Sequence, residues 1–212
     1  MPPRPLPDLP GVYYSIITGA AEGHPSNNTF AFEVTPPPAT GAADVAAATA
    51  VANAIHTRWP TFCTGSMSQA YTASQVKTYP LHTPSAPAVV VPMTATGGRF
   101  GAIEAIMVAA VVKHNVVRRG KGSQSRSSFS PIVTTDRNAA GTQIVGAYQT
   151  SLTADFIAFI NGVEADVAAA VGGSCLYVQM SKGTVHAAPA AYTISASAAE
   201  LPLSTQRRRA QR

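Results

Sequence analysis

The sequence predicts an α+β fold, with antiparallel β-sheet layers and two amphipathic helices inside a single domain. Three observations lead there. Short runs of branched and aromatic residues are separated by turn residues from Val12 onward. Two longer stretches, one from about Asp44 to Trp59 and one from about Ile144 to Val171, repeat apolar residues at the 3.6-residue period. Each helix follows a run of strands, with no regular βαβ alternation, which favours segregated layers. A jelly-roll-like β-sandwich with decorating helices is the main alternative.

Residues 1–11 open the chain with five prolines in the first ten positions. Proline fixes φ and removes a donor, so this segment is expected to be an extended arm. Val12 to Thr18 (VYYSIIT) reads as a strand, GHPSNN at 23–28 as a turn, and Thr29 to Val34 (TFAFEV) as the returning strand. Pro36, Pro37 and Pro38 stop that hairpin. The first helix follows, with Gly41 and Asp44 near its start. Asp44 serves either as N-cap or as a first-turn acid favoured by the helix dipole. Ala48, Ala52, Ile55 and Trp59 form its apolar face, and Pro60 is expected to end it.

A strand around Gln75 to Leu81 and a short one from Ala88 to Val91 come next, with Pro84, Pro87 and Pro92 around the latter. Ile103 to Val117 is read as strand, because Val108, Val111, Val112, Val116 and Val117 are β-branched. RRGKGSQSRSS makes a Gly/Ser tip, and Phe129 begins the return. The second helix carries Leu152, Phe156, Phe159, Ile160, Val163 and Val167 as one stripe, and Gly172-Gly173 terminates it. Its acids, Asp155, Glu164 and Asp166, read as a solvated polar face. CLYVQM at 175–180 and AYTIS at 191–195 are the last strands expected. The single domain is thus expected over 12–196, with 197–212 a basic arm.

Charge is scarce and unevenly placed. Charged residues make up 12% of the 212, about half the ~25% usual for globular domains. A surface so poor in charge is either neutral by composition or covered by other copies of the chain. Five of the 15 Lys and Arg fall at 113–126 (Lys113, Arg118, Arg119, Lys121, Arg126) and four at the end (Arg207, Arg208, Arg209, Arg212). No Asp or Glu lies between Glu104 and Asp136. The remaining six cations face all 10 acids, so the rest of the chain is net −4. A mildly acidic body with two basic strips is the footprint of a polyanion binder.

The nucleic-acid-binding candidates are therefore Arg118, Arg119, Lys121, Arg126, Arg207, Arg208, Arg209 and Arg212. Arg and Lys engage phosphate by charge, and Gly and Ser allow close backbone approach. Phe129 is the one aromatic nearby, so the expected mode is sequence-independent backbone contact rather than base stacking.

No catalytic pattern competes. The histidines at 24, 56, 82, 114 and 186 share no motif, and HExxH, GxSxG, P-loop and EF-hand signatures are absent from the sequence. Gly120-Lys121-Gly122 lacks P-loop spacing. Cys63 and Cys175 have no CxxC partner and read as small buried hydrophobes, with pairing left open. No enzyme, metal or cofactor is expected. The N-terminus shows no signal peptide, and 102–117 is short for a membrane span and carries Glu104, Lys113 and His114. Synthesis in a cytoplasm and no membrane partner are expected.

In layout the chain resembles the coat proteins of small viruses and phages. The resemblance rests on the Pro-rich N-terminal arm, the neutral Ala/Thr/Ser/Val-rich body, the strip RRGKGSQSRSSFSP and the terminal QRRRAQR. The basic arm is C-terminal, where many such families carry it at the N-terminus. The resemblance implies a self-assembling virion protein that forms a large homo-oligomer and packs RNA or DNA. A phage tail or head-completion role and a nucleic-acid-binding module without a shell are the alternatives.

Overall fold

The computed structural model describes residues 8–21, 24–39, 41–67, 71–82, 86–98, 106–110, 112–117, 124–129, 132–135, 145–181, 184–187 and 196–197. In chain order these form β1 (Val12–Ala21), β2 (His24–Thr35), α1 (Ala42–Ser66), β3 (Tyr71–Pro80) and β4 (Val89–Thr96). Then come β5 (Ile106–Ala110), β6 (Val112–Val117), β7 (Gln124–Phe129) and β8 (Ile132–Thr135). α2 (Val145–Val171), β9 (Ser174–Ser181), β10 (Thr184–Ala187) and β11 (Ala196–Ser197) complete the order.

Five strands build an antiparallel sheet in the order β9-β2-β1-β3-β4, which β10 extends beyond β9. β1 pairs with β2 without a break from Val12↔Glu33 to Ala21↔His24. β5 pairs with β8 and β11, and β6 pairs with β7 as a separate two-stranded ribbon. The α+β layout read from the sequence is the one the chain adopts.

Alternation along the strands places Tyr13, Ile17, Phe30, Phe32, Val76 and Tyr177 on one face, where both helices cover them. Trp59 of α1 sits at the centre. Its ring lies 5.7 Å from Phe30, 5.1 Å from Phe62, 6.3 Å from Tyr71 and 5.3 Å from Phe159 of α2. All four expected face residues of α1 are buried, as are the α2 stripe residues Phe156, Phe159, Ile160, Val163 and Val167. Polar contacts also lie inside this core. Ser15 and Thr78 hydroxyls meet at 2.9 Å, and the Asn28 side-chain amide donates to the Tyr71 hydroxyl at 3.1 Å. A one-residue slip of β1 against β3 would part the first pair, so the pair helps fix register.

Three expectations are corrected. α1 does not stop at Pro60 but runs six residues further, to Ser66. Proline costs a helix interior about 3 kcal/mol, yet the last turns carry Phe62 and Cys63 into the core, and their burial outweighs that cost. The expected turn at 23–28 is mostly strand, since β2 already begins at His24 and pairs with the far end of β1. Thirdly, the strand expected to stop at Val91 continues through Pro92 to Thr96. β4 is an edge of this sheet, where a residue without an N–H is tolerated. The AYTIS strand at 191–195 lies outside the described residues.

α2 ends as its glycines predict. Gly172 adopts φ 71°, and its N–H reaches the Ala168 carbonyl at 3.0 Å, closing the helix in a left-handed cap. The chain then enters β9 beside β2. The opposite sheet face carries a smaller apolar cluster of Val12, Ala31 and Val178, joined by Leu9, Tyr14 and Leu81. β6 runs close to β9 and β7 close to β2. Because both helices occupy the other face, the β6–β7 ribbon lies along this outer one.

Candidate nucleic-acid interface

β6 and β7 pair from Val112↔Phe129 to Val117↔Gln124, so the six residues 118–123 connect them. The register puts Arg126 opposite Asn115, and Lys113 opposite Ser128. Of the predicted binding residues, Arg126 is thus placed on a paired strand beside the connection. Arg118, Arg119, Lys121, Arg207, Arg208, Arg209 and Arg212 lie outside the described residues.

The sheet and its two helices contain Arg58 and Lys77 against five acids: Glu33, Asp44, Asp155, Glu164 and Asp166. Most of these charges are engaged locally. Arg58 donates from Nε and Nη2 to the two oxygens of Asp166 at 2.6 and 2.7 Å. This bidentate bridge holds the Asp166 carboxyl below the usual carboxylate range and raises the guanidinium further. The Ser66 hydroxyl donates to Asp155 at 2.5 Å, and the Tyr177 backbone N–H donates to Glu164 at 2.7 Å. Lys77 stands 5.0 Å from the ring centre of Tyr79.

The acids of α2 are therefore partly solvated and also engaged by neighbouring elements. Asp155 and Asp166 tie it to α1, and Glu164 ties it to β9. The sequence carried a faint signal, since Arg58 is the single Lys or Arg in α1 and two α2 acids stand three turns apart. With the charges drawn into these contacts, the most exposed positions of the helical layer are small and uncharged among the described side chains. They are Ala43, Ala46, Asn53 and Thr57 among others on α1, and Ala158, Asn161, Ala165 and Ala169 among others on α2.

Asp44 is buried in the first turn of α1, and the Tyr13 hydroxyl donates to its Oδ1 at 2.7 Å. Burial, then this bond to a carboxylate, pushes the Tyr13 phenol far above its ordinary value. Cys63 and Cys175 are buried, as the sequence predicted, and both are free thiols. Burial raises both, Cys175 to about 12, so neither offers a ready thiolate.

Two shallow grooves open on the helical side. One of about 590 Å³ runs between Pro36–Pro38, the Ala43–Ala50 stretch and the end of α2. Another of about 370 Å³ lies between Arg58, Phe62, Asp155 and Phe159. Among the described residues no group of three His, Cys, Asp or Glu is placed to hold a metal ion, and no helix is long and apolar enough to cross a membrane. No protein-family profile matches the sequence, and no curated protein or solved structure matches it either.

Proposed function

We propose that this protein is a self-assembling virion structural protein, a coat or capsid subunit that packs nucleic acid through its basic segments. The observation that carries the reading is the segregation of charge. Nine of the 15 Lys and Arg occupy two segments without an acid, while the sheet and helices hold two cations and five acids. A phosphate backbone satisfies such strips, and counterion release supplies affinity without sequence preference.

Self-association has separate support. A surface helix ordinarily keeps charge on the face away from its core. Here, among the described side chains, the exposed positions of α1 and α2 are alanine, asparagine and threonine. Faces of small, uncharged residues suit close contact with another copy, and extended obligate interfaces are depleted in charge. The subunit would be made in the host cytoplasm and end in the virion.

Electron microscopy and light scattering of the purified protein, with and without nuclease, test this. Particles or tubes that shield nucleic acid from nuclease are the expected result. A monomeric mass at both low and high salt overturns assembly, and a small uniform species that binds nucleic acid points to a module without a shell.

A further inference from the structure

The outer side of the sheet follows from what the inner side buries. Tyr13, Ser15 and Ile17 of β1 and Val76 and Thr78 of β3 are buried on the helix-covered face. Alternation therefore turns Ile16, Thr18, Gln75, Lys77 and Tyr79 to the opposite face. The pairing register sets them in rows across the strands. Lys77 stands between Ile16 of β1 and Val90 of β4, and Gln75 stands opposite Thr18. Val90 is 47% exposed, and the others are partly exposed. The β6–β7 ribbon runs beside β9 and β2, towards the other edge of the sheet.

The patch holds one charge, and no acid answers it. Lys77 is the single Lys or Arg of β1, β3 and β4, and these strands contain no Asp or Glu. Arg58, the other cation of the sheet and helices, is bound into its bridge with Asp166. Among the described residues no carboxylate bridges Lys77. Its ammonium lies instead 5.0 Å from the centre of the Tyr79 ring, two residues along the same strand. The negative face of the ring attracts the cation and holds it over the patch, with Ile16 and Val90 on either side. Such a patch has a charge for a phosphate and apolar surface for a base beside it. Stacking on an aromatic ring tolerates any sequence, because every base has a π-face. In a duplex those faces are already stacked on one another, so the patch suits unpaired strands.

We infer that the outer surface of β1, β3 and β4 is a binding site for single-stranded nucleic acid. Lys77 takes a phosphate, while the Tyr79 ring, Ile16 and Val90 meet the neighbouring base. Thr18 and Gln75 supply hydrogen bonds at the margin of the same patch. The inference rests on the nucleic-acid reading above and adds to the basic segments a site on the folded sheet. The ligand is a phosphodiester strand with unpaired bases, common to RNA and DNA.

The test measures affinity of the full chain for mixed-sequence single-stranded RNA, single-stranded DNA and duplex DNA across a salt series. The variants are Lys77→Gln, the charge-keeping Lys77→Arg, Tyr79→Leu and the ring-keeping Tyr79→Phe. Loss of one phosphate contact in Lys77→Gln lowers the slope of log affinity against log salt by about 0.7 on single strands, and Lys77→Arg restores it. Loss of one stacked base in Tyr79→Leu weakens single-strand binding about 5- to 150-fold, the equivalent of 1–3 kcal/mol. Duplex binding is little changed in that variant, and Tyr79→Phe keeps its single-strand affinity. Unchanged thermal unfolding excludes a folding defect, and where Tyr79→Leu unfolds early the two Lys77 variants decide. A loss on either RNA or DNA supports the inference, and its size on each tells which strand the site prefers. A Lys77→Gln chain with the wild-type slope overturns this inference and spares the wider reading. So does a folded Tyr79→Leu chain that keeps its affinity or loses equally on duplex and single strands. Wild type that binds no nucleic acid overturns both.

Discussion

Arg58 and Asp166 form a two-pronged bridge, with Nε and Nη2 2.6 and 2.7 Å from the two carboxylate oxygens, and it clamps α1 to α2 across 108 residues of chain. With Ser66 on Asp155 at the other end, the two contacts make the helices antiparallel. Both bridge partners are more than a third exposed, so water and salt screen them, and the pair is worth about 1 kcal/mol at most. Asp166 titrates below its unfolded value, so its contribution is present above about pH 4 and is lost as pH falls through the lower folded pKa. Asp166→Asn should flatten that acid limb in urea unfolding, and high salt should shrink the difference from wild type.

Gly162 offers an independent check on the same bridge. A Cβ there would run into the Arg58 guanidinium, a flexible group that can swing aside only by leaving its place. Gly162→Ala gains about 1 kcal/mol of helix propensity and gives up the bridge. Near-neutral stability is expected, with the Asp166 carboxyl moving back up towards the ordinary carboxylate range in an NMR titration. An unmoved Asp166 would mean that the bridge survives the methyl group.

Phe156 is fully buried, 6.5 Å from the Phe62 ring and 6.2 Å from that of Tyr177, so it joins α2 to both α1 and β9. Phe156→Ala should cost about 3–5 kcal/mol. Denaturant unfolding followed by far-ultraviolet circular dichroism measures it, and wild-type stability would show that the stripe is not core.

Those two helices were legible because period alone decides them: Ala48, Ala52, Ile55 and Trp59 in one, and Phe156 to Val167 in the other. What the sequence hid was non-local. Nothing near Cys175 says that β9 inserts beside β2, because pairing over some 140 residues leaves no local trace. Pro60 misled for a related reason: its cost is local, while the burial of Phe62 and Cys63 that overrides it is tertiary. The acids of α2 read as solvated since their partners, Arg58, Ser66 and the Tyr177 N–H, come from other elements. The valines foreshadow β6, but the sequence reads Gln124 to Ser128 as part of the Gly/Ser tip and starts the return at Phe129, where β7 in fact ends.

Tyr13 and Asp44 predict alkaline behaviour. The Tyr13 phenol is raised above its unfolded value near 10 by burial and then by the Asp44 bond. A raised acid stabilises the fold fully below pH 10, and that contribution fades as pH climbs beyond it. Tyr13→Phe should remove from buried Asp44 its one side-chain hydrogen-bond donor among the described residues, at a cost of about 1–3 kcal/mol. It should also flatten the stability loss above pH 10 in a chemical-denaturation series. An identical alkaline limb in the variant would assign that loss to other groups.

Both thiols should be silent in the native protein. Cys175 is pushed to about 12 and Cys63 is raised as well, so thiolate at pH 8 is negligible and access is closed. A thiol-reactive probe should label neither cysteine until denaturant is added, and then both. Rapid native labelling would mean that the core opens locally around α1 or β9.

The C-terminal cluster separates charge from fold. Arg207, Arg208, Arg209 and Arg212 lie within six residues that contain no acid. Deleting 205–212 should leave the thermal midpoint of the sheet and helices where it was, since among the described residues their buried contacts lie within 9–178. Binding should change instead. Each phosphate that the deletion leaves without its arginine lowers the slope of log affinity against log salt by ~0.9 on duplex or ~0.7 on single strands. Four arginines therefore bound the fall at about 3.6 and 2.8, and a smaller fall counts how many of them touch phosphate. Neutralising Arg118, Arg119 and Lys121 should act in the same direction if that connection faces nucleic acid. If it faces a neighbouring subunit, assembly should fail in the electron microscope while the isolated chain still binds. Should the truncated and neutralised chains both bind with the wild-type salt dependence, the basic segments are solvated charge and the packing role is wrong.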